Sequence, residues 1–214
     1  MTTPPDTGAA PASARELELP WWQHPVNIIT MLVTIGVLAG MLGWLIGDAR
    51  EDGVVTSDAD IGFLQDMRVH HEQAVEMSNL FLDRADIDPG LGTVARSIEF
   101  GQSIEIGLMV QLLRDMDAPT ESEEGQAMAW MGMPGPDSAM PGMASDDDIQ
   151  RLADSSGAEA DQLFVDLMVA HHEGGVDMMN DATQRAENSF VLGYAEAWAA
   201  SQAEEINELQ GLLD

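Results

Sequence analysis

Cysteine is absent from all 214 residues, lysine is absent as well, and aromatic residues make up 5% of the chain. Without Cys there are no disulfides, no thiolate metal ligands and no cysteine nucleophile, and thiol pairing says nothing about the compartment. Positive charge is scarce: 8 basic residues, all Arg, stand against 38 acidic ones, for a formal charge of -30. A surface of that sign repels nucleic acid and anionic headgroups, which excludes a nucleic-acid partner, and it concentrates cations nearby. The length suffices for one anchored domain with a real core.

Residues 1–20, rich in Pro, Ala and Thr without an apolar period, read as a disordered tail. From Val26 to Gly47 there follow 22 residues without a charge. As a helix they would span roughly 33 Å, enough for a bilayer core. Trp21, Trp22 and Trp44 lie near the ends, as interfacial aromatics do. A cleaved signal peptide fits less well, because the apolar run is too long, no basic cluster precedes it and no A-x-A site follows. Residues 21–48 are therefore expected to be an uncleaved transmembrane anchor in the cell membrane. Arg15 and Arg50 nearly balance across it, so orientation rests on the large acidic domain, which favours the extracytoplasmic side.

Residues 57–214 read as all-α. The stretch from Ser57 to Ala85 runs at helical period until "DIDPG" at 86–90, and a second helix runs from Thr93 to Met116. A third is expected over about Ala158–Ala186 and a fourth over about Phe190–Leu213. An acidic, Met-rich link, 118–157, separates the hairpins 57–117 and 158–214, with one short helix begun by the capping pattern Ser145 to Asp148. The hairpins repeat each other. A shift of 101 places Phe63, Met67, His70, His71, Glu72, Val75 and Met77 on Phe164, Met168, His171, His172, Glu173, Val176 and Met178. A shift of 100 places Gln102, Glu105 and Ile106 on Gln202, Glu205 and Ile206. Two hairpins, each too small to bury its own apolar face, predict a pseudo-symmetric four-helix bundle.

Four of the five histidines thus fall in two "HHE" doublets. At about 100° per residue, His70 and His71 border the apolar stripe of their helix, as do His171 and His172, while Glu72 and Glu173 point to solvent. A lone histidine there is ordinarily a satisfied core residue. Four in symmetric pairs call for a shared metal, a structural polar network or metal-free acid/base chemistry, of which metal is the preferred reading. Met67, Met77, Met168 and Met178 serve as core filler by spacing alone, yet their closeness to the doublets makes them candidate thioether ligands. Imidazole with thioether suits copper, Cu(I) in particular, and zinc with four His is possible. A diiron centre ordinarily draws on E-x-x-H pairs, and Met67 and Met168 stand where those Glu would be, although Glu105 and Glu205 supply one carboxylate per hairpin. In the link, Met128, Met131, Met133, Met140 and Met143 surround Trp130 among Pro and Gly, which reads either as low-complexity loop or as a flexible soft-metal collector.

The paired "HHE" motifs, the partner helices reading Q-x-x-E-I at Gln102–Ile106 and Gln202–Ile206, and "MPGM" at 140–143 resemble a bacterial family, domain of unknown function 305, over about residues 57–214. That resemblance implies a ferritin-like bundle, commonly exported or membrane-anchored, with some relatives linked to copper binding and tolerance and no established enzymatic activity. The expected function is membrane-anchored copper binding, buffering or delivery. A metal-dependent oxidase completed by Glu105 and Glu205, and an envelope scaffold or interaction module, are the alternatives.

Overall fold

The computed structural model describes residues 55–213, and the expected tail and anchor lie outside the described residues. Among the described residues no helix is long and apolar enough to cross a membrane. They form an all-helical unit: α1 (Asp58–Leu82), α2 (Pro89–Asp115), a short α3 (Asp146–Asp154), α4 (Gly157–Arg185) and α5 (Ser189–Gly211), with no strand beyond one isolated bridge, Ala127 to Gly135.

Local chemistry sets the helix ends. Ser57 and Ser145 each form a capping box with the Asp three residues on, and the Asn188 side chain accepts from the Phe190 and Val191 N–H groups to open α5. The start of α2 differs from the sequence expectation. It opens at Pro89, four residues before Thr93, because the Asp88 carboxylate caps the Gly90 and Leu91 N–H groups and proline's missing donor costs nothing at the first helical position. The same "DIDPG" that stops α1 therefore starts α2.

The hairpins α1–α2 and α4–α5 pack on each other through α1 and α4. Buried side chains fall into two apolar clusters. One gathers Phe63, Leu64, Met67, Met109, Leu113, Met178, Met179 and Trp198. The other gathers Met77, Phe81, Leu91, Ile98, Phe164, Met168 and Leu209, with the Phe81 and Phe164 rings stacked at 4.2 Å. Because α1 and α4 cross in the repeat, Met67 joins Met178 and Met77 joins Met168, rather than each pair staying with its own doublet.

The link departs from the picture of a free, exposed collector. Met128 and Met140 are buried, Met131 and Met143 are partly covered, and Met133 alone of the five stays exposed. The cause is specific anchoring: buried Asp66 accepts from the Met128 N–H at 2.7 Å and from the Trp130 indole at 2.8 Å, which pulls the stretch around Met128 onto α1, while Gln73 and His70 hold the stretch from Pro141 to Ala144.

Asp60, fully buried, ties the two hairpins together. Its carboxylate accepts from the Ser57 N–H and hydroxyl, and across the bundle from the Glu187 and Asn188 N–H groups at 3.1 and 3.0 Å. Asp60→Ala would strand these donors in a dry site and is expected to lower stability by about 3 kcal/mol. Chemical denaturation measures this, and an unchanged midpoint would show that water replaces the carboxylate at no cost.

Candidate metal centre

Between the two apolar clusters lies a layer of four imidazoles. The helical wheel put His70, His71, His171 and His172 at the border of the stripe; the packing of α1 on α4 buries all four completely. His70 and His171 stack with ring centroids 3.8 Å apart, and the His71 ring lies 5.8 Å from that of Trp198.

Every Nε2 in the layer has an oxygen partner. His71 Nε2 meets Glu105 Oε2 at 2.7 Å and His172 Nε2 meets Glu205 Oε2 at 2.9 Å, one pair in each hairpin. His70 Nε2 donates to the Pro141 carbonyl and His171 Nε2 to the His70 carbonyl, both at 2.9 Å. A carbonyl only accepts, so in neutral His70 and His171 the proton sits on Nε2 and Nδ1 keeps a bare lone pair; neutral His71 and His172 take the same form while the carboxylate each one faces is ionised. All four Nδ1 atoms are buried without a hydrogen-bond partner of good geometry, although the Met67 carbonyl lies close enough to His71 to favour a proton on it. Imidazoles in metal sites show this division, with one nitrogen oriented by an oxygen and the other left to the ion.

Burial governs the electrostatics. It pushes His70 and His71 down to about 3 and His171 well below its usual value, with the neighbouring imidazoles adding to the effect. These rings are thus neutral near pH 7, as ligands must be. Burial first, and then the Glu205 carboxylate, push Glu105 up to about 7.

Among the described residues no group of three or more His, Asp and Glu side chains stands arranged to hold a metal ion. The layer offers imidazole pairs with thioethers above and below: Met67, Met77, Met168 and Met178 are fully buried in the flanking clusters. Glu105 and Glu205 stand behind the histidines, as their hydrogen-bond acceptors. Five residues that the sequence reading did not single out as site residues complete the surroundings: Gln73, Gln102, Pro141, Trp198 and Gln202. The carboxamides of Gln102 and Gln202 are buried with neither their oxygen nor their nitrogen paired. Their signal in the sequence was the doubled Q-x-x-E, which puts each Gln one turn from its Glu.

Fold and site together define a helical bundle whose two halves bury a shared imidazole layer backed by carboxylates. The model of the family described as domain of unknown function (DUF305) matches residues 60–213, and the chain belongs to that family. It is similar to a solved putative secreted DUF305 protein from Streptomyces coelicolor, with 37% identity over 72% of this chain and 91% of the other and a TM-score of 0.67. It also resembles a DUF305 fragment from Deinococcus radiodurans, with 23% identity, a TM-score of 0.64 and 74% and 97% of the two chains covered. CopM, solved in a Cu(I)-bound form, shares 24% identity and a TM-score of 0.53 over 72% of this chain and 94% of its own. The last two likenesses concern the fold. No curated protein matches the chain.

Proposed function

We propose that this chain binds Cu(I) in the imidazole layer and buffers or delivers it, as a ferritin-like bundle anchored to the membrane by residues 21–48 with the bundle on the extracytoplasmic side. One observation carries the reading: four fully buried imidazoles whose Nε2 atoms all face an oxygen and whose Nδ1 atoms make no hydrogen bond of good geometry. Burying so many lone pairs without partners is costly unless a guest meets them. Cu(I) suits the donors present, since it accepts few ligands and takes thioether as readily as imidazole. His70, His71, His171 and His172 would hold the ion, with Met67, Met77, Met168 and Met178 as the sulfur donors within reach. The apolar clusters exclude water, which protects a monovalent ion from oxidation. That CopM has been solved with Cu(I), with Ag and with Cu(II) supports the choice of metal.

The oxidase alternative, converting Cu(I) or Fe(II), asks Glu105 and Glu205 to complete the metal site, but each already faces an imidazole Nε2, which is an orienting role. Anaerobic competition of the whole chain against a chromophoric Cu(I) chelator tests the proposal. Stoichiometric capture of Cu(I), with Zn(II) failing to displace it, is the expected result. Preference for Zn(II) or Fe(II), or no capture at all, would sink it.

A further inference from the structure

We infer that the segment 140–144 is a lid on the imidazole layer, that Gln73 is the residue holding it shut, and that ions load through its opening. This rests on the copper reading above. The starting point is a break in the repeat: after "HHE" the first helix continues Gln73-Ala74, whereas the second continues Gly174-Gly175. Both sides of that difference touch the same segment. The Gln73 carboxamide makes two bonds to Ala144, accepting from its N–H at 2.7 Å and donating to its carbonyl at 2.9 Å. A Cβ on Gly174 would stand 2.1 Å from the Pro141 oxygen, so only glycine lets the segment lie backbone against backbone on α4. Gly142 meets α4 in the same way. Its φ of +78° suits glycine, and a Cβ there would fall 2.4 Å from the Ala170 carbonyl. The two halves differ where the lid is seated.

What covers the layer differs in kind from one side to another. Elsewhere the helices are locked by the two apolar clusters, which open only at the cost of exposing them. The lid is tied to α1 by three side-chain hydrogen bonds, two from Gln73 and one from His70 Nε2 to Pro141. Such bonds exchange for bonds to water at small net cost. With all four imidazoles at zero exposure an ion reaches none of them unless something moves, and this short segment, held by those three hydrogen bonds and by the burial of Met140 and Ala144, exposes less apolar surface on leaving than a helix would. Its departure also frees His70 Nε2. Buried Met140 and partly buried Met143, both packed against the cluster of Met67 and Met178, travel with it and carry two thioethers from the surface to the layer.

The test compares the whole chain with Gln73→Ala and Gln73→Glu, none of which alters a proposed ligand. Hydrogen exchange at the Ala144 amide reports opening without metal, and stopped-flow uptake of Ag(I), a redox-inert stand-in for Cu(I), reports loading. Gln73→Ala should speed both by the same factor, on the order of tenfold, at unchanged stoichiometry. Gln73→Glu keeps the acceptor and loses the donor, so both rates should fall between. Faster exchange with unchanged Ag(I) uptake would overturn the lid, as would unchanged exchange. If the parent chain takes up no Ag(I), the copper reading fails and the gate with it, a failure told from the others by the absence of binding in every variant. Should Gln73→Ala not fold, the parent alone still decides: uptake faster than Ala144 exchange excludes loading through the lid.

Discussion

Replacing His70, His71, His171 and His172 together by Leu removes Cu(I) binding beyond measurement while the helices persist. Leucine has a volume near that of imidazole and no donor, so the layer becomes continuous with the clusters on either side and no large cavity is left. The stranded lone pairs disappear with the rings, which offsets part of the cost of leaving the Glu105, Glu205 and Pro141 oxygens without their imidazole partners. Circular dichroism would show an unchanged helical signal, and chelator competition would show the loss. Replacing only Glu105 and Glu205 by Ala removes the acceptors behind His71 and His172, and the affinity should fall roughly 10- to 100-fold, the usual effect of losing an orienting partner. Binding that survives the four-Leu replacement undiminished would place copper on the methionines of the link and sink the layer as its site.

Acid should unfold this bundle far more readily than its many carboxylates alone would cause. His70 and His71 are held near 3, and His171 well below 6.5, chiefly by burial. In the unfolded chain each takes a proton near pH 6.5, while the folded chain resists it. Each of the three therefore contributes stability that is intact above about pH 6.5 and is lost as pH falls, at about 1.4 kcal/mol per pH unit. Glu105 acts in the opposite sense. Raised from 4.5 to about 7, it binds in the folded state a proton that the unfolded state releases, so its contribution is full below pH 4.5 and lost as pH rises through 7. Between pH 6.5 and 4.5 the unfolded chain gains three protons against one, a net of two, or about 2.7 kcal/mol per pH unit. The fall over those two units is about 5 kcal/mol, comparable with the low end of the roughly 5–15 kcal/mol by which domains are ordinarily stable. Urea midpoints at pH 7.5, 6 and 5 measure the slope, and the four-Leu protein should lose this steep acid dependence. A parent midpoint that is the same at all three pH values would show that the imidazoles do not stay neutral.

Much of the scaffold was legible because it is local. Ser57, Ser145 and the 3.6-residue period act within a few residues, and so does the repeat that places Phe63 over Phe164. Asp88 misled for the same reason: read as part of a breaker, it is a cap, and only the chain's direction after it tells the two apart. The burial of Met128 and Met140 was not legible, since the first depends on Asp66, 62 residues before the Met128 amide it binds, and the second on a segment fastened by Gln73 and His70, each 71 residues before its partner. No window of the sequence contains both.

The sequence by itself determined that four imidazoles border the apolar stripe beside methionines in two equivalent helices, because a helix carries its period wherever it lies. Tertiary structure alone decided which nitrogen of each ring is free. The Nε2 partners of His70, His71, His171 and His172 stand 71, 34, 101 and 33 residues away, on the lid or on neighbouring helices. A ring's tautomer follows from the oxygen that packing brings to it, and that oxygen is chosen by how the two hairpins meet.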